Sequence, residues 1–171
     1  MGLFKITTKK TKKFNDKLNS YSYRIDYLCS ADSILFCSIC YKDAINKLET
    51  LKKMAAEGNL DFNYNEKRDF LDTGKRMCFD AALAREIEKI LDDLTVNKNI
   101  QLFIDKLEDL NTDYISNKSE FSSKGVALFD NFFKKASTLI LDYKNSIIKE
   151  DSFNDLCEIK EKTKEFTDVF K

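Results

Sequence analysis

Apolar residues recur three and four positions apart along almost the whole chain, the spacing of helices buried on one side. No segment sustains the alternation of a strand. The pattern predicts an all-α fold, a bundle of about five helices. The first helix runs from Phe14 to about Glu57, with Gly58 as a left-handed C-cap before Asn59. A helix of that length would span roughly 66 Å at 1.5 Å per residue. Ser30 to Ser33, which contains N-cap residue types, is where it would break or kink. A polar link from Asn59 to Asn65 precedes a second helix, about Glu66 to Leu94, on Phe70, Met77, Ala81, Ala84, Ile87, Leu91 and Leu94. After Val96 to Asn99 comes a third, Ile100 to Ser116, on Ile100, Phe103, Leu107, Leu110 and Tyr114. The fourth, about Glu120 to Lys149, presents Val126, Phe129, Phe133, Ala136, Ile140, Tyr143 and Ile147. Asp151 or Ser152 then caps a last helix carrying Leu156, Ile159, Thr163, Phe166 and Phe170.

The first helix differs from the rest. One stripe reads Phe14, Leu18, Tyr21, Ile25, Leu28, Leu35, Ile39, and the opposite side reads Tyr23, Tyr27, Ile34, Cys37, Tyr41, Ile45, Leu48. A helix apolar all round must be surrounded, by its own chain or by a partner. The expectation is a central first helix wrapped by the later ones, with an oligomer interface as the alternative. On that placement Ile39→Asp would unfold the protein.

Composition narrows the function. The 171 residues are 43% hydrophobic and 34% charged, enough for one core and a solvated surface, so residues 14–171 form a single domain. Histidine is absent, which excludes Ser-His-Asp and Cys-His catalysis, His-ligated zinc and haem, and the Glu-x-x-His di-iron bundle. Four glycines and no proline leave no dinucleotide fingerprint and no phosphate loop. The reading calls for no cofactor and no metal.

Charge is balanced overall, 29 basic against 29 acidic residues, but unevenly placed. Lys5, Lys9, Lys10, Lys12 and Lys13 occur with no acid in residues 1–13, so this segment reads as a flexible basic arm suited to an anionic membrane surface. The apolar head Met1 to Ile6 fits a headgroup layer, although Ile6 stands where a myristoylation motif has Ser or Thr. Without a basic recognition helix, a zinc module or a stacked-aromatic sheet, specific nucleic-acid binding is not expected. Five cysteines, an odd number with no secretory signal, indicate reduced thiols and a cytoplasmic location. The longest uncharged run near the start, residues 33–41, is too short to span a bilayer. Cys37 and Cys40 have the CxxC spacing, but in a helical apolar run they read as buried small hydrophobes.

Three residues stand out as candidates for anion or partner binding. Asp32 takes a stripe position between Leu28 and Leu35, as an N-cap, an ion-pair member or a ligand carboxylate. Of only four arginines, Arg68, Arg76 and Arg85 lie in the second helix. Arg68 and Arg76, about 80° apart around it, have the spacing to flank one anion, or to pair with Asp69, Asp72, Asp80 or Glu88. Gly74 interrupts the same helix. The lysine, asparagine and isoleucine bias (25, 13 and 14 residues) matches A/T-rich coding of bacterial or phage type.

Together these features predict a non-enzymatic, helical protein-binding module, a scaffold, adaptor or inhibitor, recruited to an anionic surface by residues 1–13. Its partner is another protein, or a second copy of the chain. The alternative is a bundle holding a small anionic ligand or nucleotide with Asp32, Arg68 and Arg76. A third class, carboxylate–metal catalysis, would draw on the acid pairs Asp69/Asp72 and Asp105/Asp109.

Overall fold

The computed structural model describes residues 2–97, 99–145 and 150–170, with side chains over 9–93, 99–145 and 154–170. Among the described residues the chain forms six α-helices and no strand. They are α1 (Gly2–Cys29), α2 (Ile34–Gly58), α3 (Tyr64–Asn97), α4 (Ile100–Ser116), α5 (Ser123–Lys144) and α6 (Glu150–Asp168), with a 3₁₀ turn at Lys118–Glu120. The all-α class follows directly from the spacing. The number of helices differs by one, because the first element breaks at the Ser30–Ser33 segment where a break or kink was expected.

The expected long first helix is two helices. Ser30 folds its hydroxyl back onto the Asp26 carbonyl at 2.9 Å, and the chain leaves the helix after Cys29. Ser33, extended at φ −150° and ψ 153°, starts α2 by accepting from the Phe36 N–H at 3.2 Å. The two helices fold back as an antiparallel hairpin. Arg24 pairs with Asp43 at 2.6 Å, Tyr27 meets Phe36 edge-on at 6.5 Å, and Phe14 reaches Phe62 at 5.5 Å. α1 begins at Gly2 rather than Phe14, so the basic segment expected as an arm is helical.

The break resets which side faces inward. α2 buries Ile34, Cys37, Cys40, Ala44, Leu48, Leu51 and Ala55, and α1 buries Phe14, Tyr21 and Leu28. Leu35 and Ile39, expected on the buried stripe, are exposed, so Ile39→Asp places its charge in solvent and leaves the chain folded.

The central helix is α3, not the first. From Cys78 to Ala84 every residue is buried, and α3 packs on α1, α2, α4, α6 and the 3₁₀ turn. A stretch buried on all sides needs neighbours on all sides. Ala81, Ala82 and Ala84 let those neighbours come close. The expected seam holds at Ala81, Ala84, Ile87 and Leu91, all buried, but nearer the start of the helix it lies one residue on: Leu71 and Cys78 are buried, whereas Phe70 and Met77 are exposed. Leu94, also expected there, and Ile147 lie outside the residues whose side chains are described.

Among the described residues, one carboxylate sits inside this core. Asp80 is 2% exposed and accepts from the Ser122 N–H at 3.2 Å, at the N-terminus of α5. Burial pushes its pKa up, while the Ser122 hydroxyl and N–H draw it down. Gly125, in the first turn of α5, makes this approach sterically feasible. A Cβ there would lie 2.1 Å from Asp80 Oδ1. Gly74, in contrast, has open space where its Cβ would be. The C-cap of α2 is also displaced by one: Asn59, at φ 48°, takes the left-handed position, and the Leu60 N–H bonds the Ala55 carbonyl at 2.9 Å.

The later helices follow their spacing. Phe103, Leu107, Leu110 and Tyr114 of α4, Phe129, Phe133 and Ala136 of α5, and Leu156, Ile159, Thr163 and Phe166 of α6 are buried. Tyr114 stacks on Phe133 at 5.1 Å and meets Phe121 edge-on at 5.2 Å, while Phe129 lies 5.6 Å from Phe166. Such pairs contribute about 0.5–1.5 kcal/mol each beyond the area they bury. The expected caps Asp151 and Ser152 fall within α6, which begins at Glu150; their side chains lie outside those described.

Candidate docking surface

The hairpin turn is held by two consecutive residues of α3. Arg85 Nη1 donates to the Cys29 carbonyl at 3.0 Å and to the Ala31 carbonyl at 2.8 Å. Glu86 Oε2 accepts from the Ile34 N–H at 2.8 Å. The charges match the ends they meet. A helix C-terminus exposes unsatisfied carbonyls and takes the cation; a helix N-terminus exposes N–H groups and takes the anion. Burial pushes the Glu86 carboxyl up to about 7, against the bond from Ile34, and Asp113 and Asp32 add to the rise.

This clamp fixes how the hairpin is presented. On α2, Leu35, Ile39 and Phe36 fall within an arc of about 100°, opposite the buried stripe. Tyr27 touches Phe36, and Tyr23 lies one turn before Tyr27 on α1. These are large side chains left in solvent: Tyr23 is 67% exposed, Tyr27 53%, Leu35 69% and Ile39 52%. Arg24 sits over the Tyr27 ring at 5.5 Å and is anchored by Asp43. Tyr27 and Phe36 thus join the exposed apolar residues of the two helices, with the Arg24–Asp43 ion pair beside them. The core of an interface has that make-up: aromatic residues enriched, free charges few.

The expected site residues are not brought together. Asp32 is exposed in the turn; its neighbour Ser33 is the cap, and the arginine that reaches the turn bonds backbone carbonyls. Asp32 lines a groove of about 390 Å³ with Glu86, Lys89, Lys106, Asp109 and Asp113. Arg68 lies elsewhere, against the far half of α2. It pairs with Asp72 at 2.7 Å and approaches Glu49 at 3.9 Å. Tyr41 donates to Asp72 at 2.8 Å and Tyr64 donates to Glu49, so both carboxylates are shared. The bond to Asp72 drives the Arg68 pKa further up. A guanidinium so engaged has little left for an external anion. Arg76 is exposed, and its charge helps to lower the Asp80 pKa.

Lys9, Lys10, Lys12 and Lys13 are exposed on α1, and the Lys5 side chain lies outside those described. Asp69, Asp72, Asp105 and Asp109 are exposed, and among the described residues no group of acids or thiols is placed to hold a metal ion. Cys37 and Cys40 are fully buried on α2. No described helix is long and apolar enough to cross a membrane.

Of the residues that hold the turn and the core, Glu86 went unnamed from sequence, Arg85 was noted only as one of three arginines of the second helix, and Asp80 only as an ion-pair partner. Arg85 and Glu86 carried one visible signal: they are the first charges after the uncharged run Ala81–Ala84. The fold defines the protein's class as a helical bundle with an unpartnered apolar face. Comparison of the chain with protein-family models, curated proteins and solved structures finds no match.

Proposed function

We propose that the protein is a non-catalytic interaction module that docks another protein through the face formed by Tyr23, Tyr27, Leu35, Phe36 and Ile39. The observation that carries this reading is that a helix pair apolar on both sides has only one side covered by its own chain. Exposing five large apolar side chains together is unfavourable in water, and a partner surface relieves it at about 25 cal/mol per Å² buried. The Arg85–Glu86 clamp supports it further, because a pre-set surface loses less conformational entropy on binding. The lysines of the first turns of α1 recruit the module to an anionic surface, each contributing about 1 kcal/mol there. Five unpaired cysteines fit a reducing, cytoplasmic setting.

The test is capture from host lysate with three proteins: the wild type, Tyr27→Ser/Ile39→Asp, and Leu141→Asp as a control at an exposed apolar residue of α5. A stoichiometric protein held by the wild type and the control, and released by the double variant, is the expected result. Light scattering beside it shows whether that protein is a second copy of the chain. Capture indifferent to Tyr27 and Ile39, or no capture, refutes the docking face.

A further inference from the structure

Among the described residues, one buried side-chain oxygen has no hydrogen-bond partner: Tyr21 Oη. Tyr21 is 4% exposed, and leaving its hydroxyl unpaired there is unfavourable. The same residue lines a cleft of about 380 Å³ between α1 and α3. Ile25 and Phe70 give the cleft its apolar wall, and the Phe70 ring stands largely in solvent. Asp26, Lys67 and Glu66 give it charge. The cleft lies about 100° around α1 from Tyr23 and Tyr27, so it is separate from the docking face. We propose that it binds an apolar α-amino acid. The carboxylate takes the Tyr21 hydroxyl and the Lys67 ammonium, the amino group pairs with Asp26, and the side chain lies against Ile25 and Phe70.

The register of the helices arranges these groups by charge. Arg24 meets Asp43, and Tyr41 meets Asp72, so α3 runs antiparallel to α2 and parallel to α1. Tyr21 is then level with Lys67, while Asp26 lies five residues further along α1, about 7.5 Å at 1.5 Å per residue. That span suits an α-amino acid, whose ammonium and carboxylate are roughly 3 Å apart, with a hydrogen bond of about 2.8 Å at either end. Burial raises the Tyr21 pKa, so the hydroxyl stays protonated and donates, best to a charged acceptor. Phe70, on the rim, offers its ring to the ligand's apolar part or to its ammonium. Glu66 is engaged by Asn63 Nδ2 at 3.0 Å, which leaves Asp26 as the acid for the amino group. Lys67 has no ion pair among the described residues, so its long side chain is free to swing, admit the ligand and hold its carboxylate. The volume is at the small end of ligand cavities, about 300–1,000 Å³, and fits one amino acid rather than a nucleotide.

The experiment titrates the isotope-labelled full chain with leucine, isoleucine, methionine, phenylalanine and tryptophan at millimolar concentration and follows backbone amide shifts by NMR. Saturable shifts with at least one of them, centred on Ser22, Asp26, Lys67 and Phe70, are expected. The matching amine without its carboxylate, and the matching acid without its amino group, should each bind about tenfold or more weakly. Tyr21→Phe keeps the ring and removes only the unpaired oxygen; it should melt no lower than wild type and weaken binding by about tenfold or more. Should that variant fail to fold, Lys67→Ala, on the rim, reads the same carboxylate contact. No saturable shift with any of the five, shifts centred elsewhere, or equal affinity for the amine overturns the proposal. A Tyr21→Phe that melts lower and binds as wild type does so too, because the hydroxyl is then satisfied by a buried water only.

Discussion

Glu86→Gln removes a strained protonation state without changing shape. The wild-type carboxyl is half-withdrawn from water, feels Asp113 and Asp32 with Lys89 opposing them, and rises from its ordinary 4.5 to about 7. A carboxyl whose folded pKa is raised binds its proton more tightly in the native state. Its contribution is therefore fully present below about pH 4.5 and is lost as pH climbs through about 7. A rise of that size corresponds to on the order of 3 kcal/mol in total, of which roughly 2–3 kcal/mol falls between pH 5 and pH 8. Glutamine stays neutral, and its carbonyl oxygen still accepts from the Ile34 N–H. The variant should therefore gain stability relative to wild type by about that amount as pH rises over this interval. Urea unfolding followed by circular dichroism at 222 nm, at each pH unit from 5 to 8, measures the difference. Taking the difference cancels groups common to both proteins, including Asp80 and Cys29. Parallel curves for the two proteins would show that the carboxylate is well solvated and that the clamp has been misread.

Gly125 and Gly74 should respond oppositely to alanine. Gly125→Ala drives a methyl into Asp80 and should cost about 2–3 kcal/mol. Gly74→Ala meets nothing and should add about 0.4–1 kcal/mol, a gain in Tm of a few degrees by calorimetry. On α2, Ile39→Asp should leave the melting curve within about 0.5 kcal/mol of wild type. Leu48→Asp, at a fully buried site on the opposite face, should abolish cooperative unfolding by placing an unpaired charge in the core.

How much was legible depended on the kind of helix. α4, α5 and α6 each have one apolar face, so period alone identified Phe103, Phe129 and Leu156 as buried. α1 and α2 have two apolar faces, and periodicity cannot rank them. The choice was made by the break at Ser30–Ser33, which folds α2 back on α1 and turns Leu35 and Ile39 to solvent while Ile34 and Cys37 turn inward. α3 was legible in part. The spacing placed Ala81, Ala84, Ile87 and Leu91 on the buried seam, but Phe70 and Met77, expected beside them, are exposed, and spacing gave no sign that the helix is buried all round from Cys78 to Ala84. The candidate site fared likewise. Asp32 and Arg68 drew attention as unusual residues, but roughly 22 Å of α2 separates the turn from Glu49, against which Arg68 lies.

The sequence by itself determined the helical class, most helix boundaries and the exclusion of histidine chemistry, because each depends on residue identity or on spacing within a turn or two. Only the tertiary structure decided which helix is central, which apolar face is left bare, and that Arg85 and Glu86 reach the backbone of the turn between α1 and α2. Those facts rest on contacts between residues some fifty positions apart, and no local pattern encodes which distant side chain will arrive.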